Sequence, residues 1–275
     1  TASDFFAHQY DSEFLANLVA IIMLLFTLPY LQIQLTGGAY LIEVASGGLI
    51  PWKIGGIIFY VVIIIYVWAG GLRAVAWTDI FYGILLFFGM IFAGFYLAAK
   101  VGGINELFAT LRETAPESLT LPGPDGTAGP MLWVAMFFIT PLGAFMGPQL
   151  WTRMHAVKSP KLFNLMPFLL SFAAIAYIGS MLVGNTGILM EPGLENADTV
   201  LPVMLFKHAP FALASLIIAG GAAAAMSTAN SQIHSMSAVW TVDIHRKYIN
   251  KNISQHALVW VGRWAILIFA AIAYF

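Results

Sequence analysis

Six stretches of this chain run from one charged side chain to the next with no Asp, Glu, Lys or Arg between them. They are Phe14–Ile42, Ile54–Leu72, Ile80–Ala99, Gly126–Thr152, Leu162–Met190 and His208–Val242. Each can hold the roughly 20 apolar residues needed to cross the hydrocarbon layer of a bilayer. A seventh apolar run begins at or just before Trp264 and continues to the last residue. Composition points the same way: 60% of residues are apolar and 9% charged, against about 45–50% and about 25% in soluble domains. So few charges cannot cover a soluble domain of 275 residues. Lipid is therefore the solvent for much of the surface. A chain in lipid must satisfy its own backbone hydrogen bonds, which makes the spans α-helices. The expected fold is all-α, a polytopic membrane protein of about seven transmembrane helices, with the longer intervals tilted, kinked or protruding.

The charges that remain are sorted by loop. Thr152–Lys161 carries three Lys/Arg and no acid, and Thr241–Lys251 carries three with one acid. The loop from Lys100 to Pro130 has two bases against four acids, and Glu191–Lys207 one against three. Positive-inside logic places the first pair in the cytoplasm and the second outside. By alternation, the short loop at Arg73 is cytoplasmic, the turn at Glu43–Lys53 external and the N-terminal end of the chain cytoplasmic. The segment "TLPGPDGTAGP" reads as an exposed external turn region. The net charge of −1 gives no footprint for nucleic acid. The absence of cysteine removes disulfide and thiol chemistry. No metalloprotease, nucleophile-elbow or phosphate-loop signature occurs, so no enzyme is expected. The opening residues lack the features of a signal peptide, and the chain ends within an apolar run. Residues 1–275 are accordingly expected to be one incomplete transmembrane domain, an internal piece of a longer protein.

The sixth interval contains "AAAAMSTANSQIHS" (Ala222–Ser235), a cluster of hydroxyls and amides in an otherwise apolar span. At 100° per residue, Gly220, Ala224, Ser227, Thr228, Ser231, Ser235 and Ala238 fall within about 100° of arc. Met226, Ile233, Met236 and Trp240 lie on the other side. Small residues let helices approach closely, and hydroxyls bond across or back along a helix. From the pattern alone, packing is the favoured reading. The alternative is a site for an alkali cation: the Ser227 and Thr228 hydroxyls and the Ala224 carbonyl one turn earlier present three hard oxygens. A second, broken helix would complete such a shell.

"GGLRAVAWTDIFYG" (Gly70–Gly83), "DTVLP" (Asp198–Pro202), "AAAMSTANSQ" (Ala223–Gln232) and "WTVDIHRKY" (Trp240–Tyr248) together resemble the sodium:solute symporter family, across essentially the whole chain. The resemblance implies a LeuT-type core of two inverted five-helix repeats. It also implies sodium (Na+) as coupling ion and a sodium site at Ala224, Ser227 and Thr228, completed by an unwound helix upstream of Thr1. It supports Asp79 as a sodium waystation near the cytoplasmic mouth, where the residues alone equally allow a helix N-cap. The fourth interval carries "TPLGAFMGP" (Thr140–Pro148), with two prolines and a Gly-x-x-x-Gly. Interrupted spans point to midplane substrate sites, which makes Thr140, Pro141 and Gly143 substrate candidates; a plain kink is the other reading. Gln32 and Gln34 are expected to join helices, Arg263 to snorkel to the cytoplasmic surface, and His234 to be a core histidine.

The expected function is sodium-coupled symport of a small organic solute across the cell membrane. The nearly apolar fourth span favours a small carboxylate or amino acid over a sugar. Two other classes stand beside it: a proton-coupled permease, for which only His234 could titrate near midplane, and a transporter-like sensor module fused to a histidine kinase.

Overall fold

The computed structural model describes the backbone of residues 1–123, 126 and 129–274, and their side chains apart from those of 66, 69–75, 144 and 145. Pro124, Asp125, Thr127 and Ala128 of the Gly/Pro-rich turn expected before Pro130, and the Arg73 side chain, therefore lie outside the described residues. Among the described residues every regular element is helical. Five helices are long and apolar enough to span a membrane: Glu13–Ala45, Ala76–Lys100, Met166–Met190, Phe211–Ile249 and Gln255–Tyr274. A bent pair and a shorter apolar helix, Trp52–Ile65, account for the remaining two of the seven expected crossings.

After a short helix α1 (Ala2–Tyr10), α2 runs from Glu13 to Ala45 and is capped by the Ser12 hydroxyl, which accepts from the Leu15 amide at 3.2 Å. Glu43 then caps the following helix by accepting from the Trp52 amide at 3.1 Å. Helix α3 is assigned from Trp52 to Lys100 without interruption, where two spans with a loop at Arg73 are expected. As a straight rod its ends would lie about 70 Å apart, at 1.5 Å per residue. They do not. At one end Gly55 lies against Ala39 and Ile42 of α2, and at the other Leu41 packs into the cluster holding Ala93 and Leu97. Both ends therefore meet the same end of α2, and the chain reverses between Trp68 and Ala76. The two-span reading holds although the helical assignment bridges it.

Helices α4 (Ile104–Thr114), α5 (Pro130–Met146), α6 (Pro148–His155), α7 (Met166–Ala173), α8 (Ala176–Met190) and α9 (Val200–His208) follow. Helix α4 buries Leu107 and Leu111, one turn apart, against Ala98 and Leu182. Helix α10 (Phe211–Ala238) continues as a π-helix, Val239–Ile249, before α11 (Gln255–Tyr274). It is the axis of the bundle and touches α2, α3, α6, α9 and α11. Its bulky face is core: Ala229, Ile233 and Met236 pack with Leu31, Leu35, Phe59, Ile63 and Phe269. Elsewhere Phe26, Ile33, Phe88 and Leu170 are exposed, which fits an outer surface in lipid and not in water.

Two crossings depend on a missing side chain. A Cβ on Gly38 would stand 2.5 Å from the Phe59 ring. At the crossing of α3 and α8, a Cβ on Gly94 would lie 2.5 Å from the Gly179 carbonyl oxygen, and one on Gly179 would lie 2.1 Å from that of Met90. Here backbone touches backbone, and neither helix has a side chain that could yield. Gly179→Ala in the full-length protein is expected to cost about 3 kcal/mol or more by overpacking. Gly184→Ala, on the same helix with nothing within 4 Å of its Cβ, should be neutral or stabilise by up to about 1 kcal/mol. Melting temperatures of the two purified variants check the contrast, and similar values would contradict it.

Candidate functional site

The slim face of α10 meets the second arm of α3 and helix α6. Gly220 comes first: a Cβ there would sit 3.0 Å from Leu85 Cγ. Two turns on, the Ser227 hydroxyl donates to Asp79 Oδ1. The Thr228 hydroxyl donates back to the Ala224 carbonyl at 3.3 Å, and the Ser231 hydroxyl to the Ser227 carbonyl at 3.0 Å. Such i→i−4 bonds are how hydroxyls satisfy themselves within a helix. Ser231 also accepts from the Arg153 guanidinium, whose same nitrogen donates to Asp79 Oδ2. One turn further, Ser235 is within 3.4 Å of the Thr152 hydroxyl, which donates to the Pro148 carbonyl at 2.9 Å.

The stripe therefore serves both readings drawn from its sequence. Its N-terminal part is a packing surface, and its middle part is a polar cluster shared by three helices. Asp79 is the anion of that cluster, with its side chain 18% exposed while Arg153's is 43% exposed. Its role in the structure is tertiary: two donors, from α6 and α10, meet its two oxygens. Apart from the Arg153 guanidinium, the cluster offers a carboxylate, hydroxyls and a carbonyl, oxygen donors of the kind a hard cation takes. The hydroxyls keep acceptor lone pairs while they donate, so Ser227 and Thr228 can still face an ion.

Arg153 is the residue missed in the sequence. It enters the reading only as one of three positive charges in a cytoplasmic loop, whereas in the structure it belongs to α6 and reaches the buried stripe. A signal was present in its position: Pro148 starts a helix, and Arg153 falls a turn and a half into it.

The proposed substrate residues are placed differently. Helix α5 contains Pro141 and is bent by 43° from α6, with Gly147 extended at the break. The interruption expected in the fourth span is thus present. Thr140, Pro141 and Gly143 are exposed. Among the described residues, the Thr140 hydroxyl meets Met136 Sδ of its own helix at 3.7 Å, and no atom of another element lies within 4 Å of a Cβ on Gly143. The structure does not bring them to the Asp79 cluster, which the other half of the bent span does touch. A cavity of about 200 Å³ is lined by Met23, Pro148, Trp151, Thr152, His155 and Ser235 among others.

Other expectations resolve simply. His234 is partly buried on α10. Arg263 lies over the rings of Trp260 at 4.9 Å and Trp68 at 5.9 Å, a cation–π placement. Gln32 is exposed in this segment, and its backbone carbonyl accepts from the Thr36 hydroxyl.

The model of the family described as "Sodium:solute symporter family" matches residues 1–275. The chain belongs to the sodium:solute symporter family. Members of the family are transporters and not enzymes. The chain is 27% identical over 246 residues to a sodium/pantothenate symporter of Haemophilus influenzae, covering 89% of this chain and 50% of that one. It is 28% identical over 286 residues to a sodium/proline symporter of Salmonella typhimurium, covering 99% and 55%. The chain thus spans about half the length of the curated relatives it matches. A Na+-coupled sialic acid symporter solved in a substrate-bound, outward-open state superposes with a TM-score of 0.74 at 23% identity, over 94% of this chain and 57% of that one. That agreement shows the fold, the LeuT-type helical core implied by the sequence resemblance.

The exposure of Arg153 gives a stability prediction for the cluster. In Asp79→Asn the guanidinium can turn to water, and partly exposed ion pairs contribute about 0–1 kcal/mol. The full-length variant should reach the membrane in normal amount and melt within about 4 °C of the parent. A collapse of expression or a far larger drop would make Asp79 a structural residue.

Proposed function

We propose that this chain is part of a carrier that couples inward sodium flow to uptake of a small organic solute across the cell membrane, with the N-terminal end of the segment on the cytoplasmic side. One observation supports this most directly: Asp79, Ser227 and Ser231 are joined by hydrogen bonds, with Thr228 and the Ala224 carbonyl on the adjoining turn, in a family whose characterised relatives are named for sodium symport. Sodium, as cargo, would take the Ala224 carbonyl and the Ser227 and Thr228 hydroxyls as ligands. The remaining ligands would come from the half of the protein outside this segment. Asp79, hydrogen-bonded to Ser227, supplies the negative charge that draws the ion onward and gives it a next station toward the cytoplasm. The site is built from neutral oxygens beside one ion-paired carboxylate, which suits an ion that must be released in every cycle.

Solute would lie against the bent α5–α6 span, at Thr140, Pro141 and Gly143. The proline, pantothenate and sialic acid named for relatives all carry a carboxylate, and the apolar face of α5 offers no set of polar groups for a neutral sugar. Ion and solute each stabilise the packing that binds the other, so the coupling is reciprocal.

The test is uptake of a radiolabelled panel of carboxylates, amino acids and sugars by the full-length protein, with sodium replaced by choline. Sodium-dependent uptake of a carboxylate or amino acid is expected. Thr228→Ala should raise the half-saturating sodium concentration about tenfold, which corresponds to about 1.4 kcal/mol. An unchanged sodium titration would remove Thr228 from the site, and uptake indifferent to sodium would overturn the reading altogether.

A further inference from the structure

The cation that stands at the Asp79 cluster belongs to the protein. The Arg153 guanidinium donates both to Asp79 and to Ser231, so it is placed among the oxygens that an ion travelling past Asp79 would have to use. An arginine stays protonated at any physiological pH. Its competition with another monovalent cation is therefore a matter of charge and position, with no proton involved. Three features make the placement exchangeable. The Arg153 side chain is 43% exposed, so water can receive it. Thr152 and His155, on the same short helix, line a cavity of about 200 Å³. And Arg153 rides on α6, the short arm of the span bent by 43°, whose other arm carries the proposed solute contacts.

Resting on the sodium reading above, we propose that Arg153 is a tethered counter-cation that occupies Asp79 and Ser231 when sodium is absent and must leave when sodium moves onto them. In that state it ties α3, α6 and α10 together at one point and closes the way past Asp79. Sodium arriving at Asp79 releases α6, and a shift of α6 at the bend withdraws the guanidinium and opens the cluster to the ion. The ion's progress and the tilt of the solute-binding span are thereby made mutually dependent. Arg153 is a positioning residue, because its effect on sodium passes through Asp79.

The experiment is equilibrium binding of ²²Na⁺ to purified full-length protein without solute, at ionic strength held constant with choline. If the guanidinium competes, Arg153→Ala should lower the half-saturating sodium concentration about threefold to tenfold, whereas a residue that merely braces the fold would raise it or reduce the number of sites. Millimolar guanidinium chloride should displace ²²Na⁺ from Arg153→Ala and act far less on the parent. Arg153→Gln reads the same quantity if the alanine variant is not recovered. Unchanged or weaker sodium binding in the variants, or equal displacement by guanidinium from parent and variant, overturns the proposal while leaving sodium coupling intact. Failure of the parent to bind sodium, with uptake indifferent to sodium, overturns both.

Discussion

A carboxylate set into a helical bundle must find its donors and its countercharge within the protein, and Asp79 finds them on two other helices. Ser227 on α10 and Arg153 on α6 take one oxygen each. The contact falls on the small-residue face of α10. It joins α6 to α10, while α5, the other arm of the same span, leans away at 43°. The bulky side of α10 is core, with Ile233 and Met236 fully buried.

Much of this architecture was legible in the charges. Intervals free of charge locate the crossings because a charge in hydrocarbon is costly, and each interval from Phe14–Ile42 to His208–Val242 has a helix or pair of helices on it. Gly and Pro in "TPLGAFMGP" announce the break between α5 and α6, since neither residue supports a continuous helix. The slim stripe from Gly220 to Ala238 could be drawn from a helical wheel alone. Its partner could not, because a wheel describes one helix and says nothing of what lies opposite. That is why Asp79 and Ser227, 148 positions apart, stand as separate features in the sequence and as one hydrogen-bonded group in the structure.

Arg153 shows a second limit. Counting Lys and Arg in loops gives orientation, and the count treats each charge as equivalent. Arginine carries a rigid fork on a long stem, so a residue assigned to a loop by counting can reach into the bundle from the end of a short helix. Gln32 differs in the opposite sense: an amide in an apolar run suggests a partner, but the outward phase of α2 leaves it exposed in this segment. The reversal in α3 was legible in the sequence, where Arg73 interrupts the apolar run.

The crossing of α3 and α8 bears on how the bundle can move. Most helix pairs interlock through rows of side chains, and one row must ride over another before either helix can tilt. At Gly94 and Gly179 no such teeth exist: two bare main chains rest on each other. Such a contact behaves as a smooth bearing, allowing the helices to rock about it with little change in side-chain packing, while contacts farther along each helix set the limits of the swing.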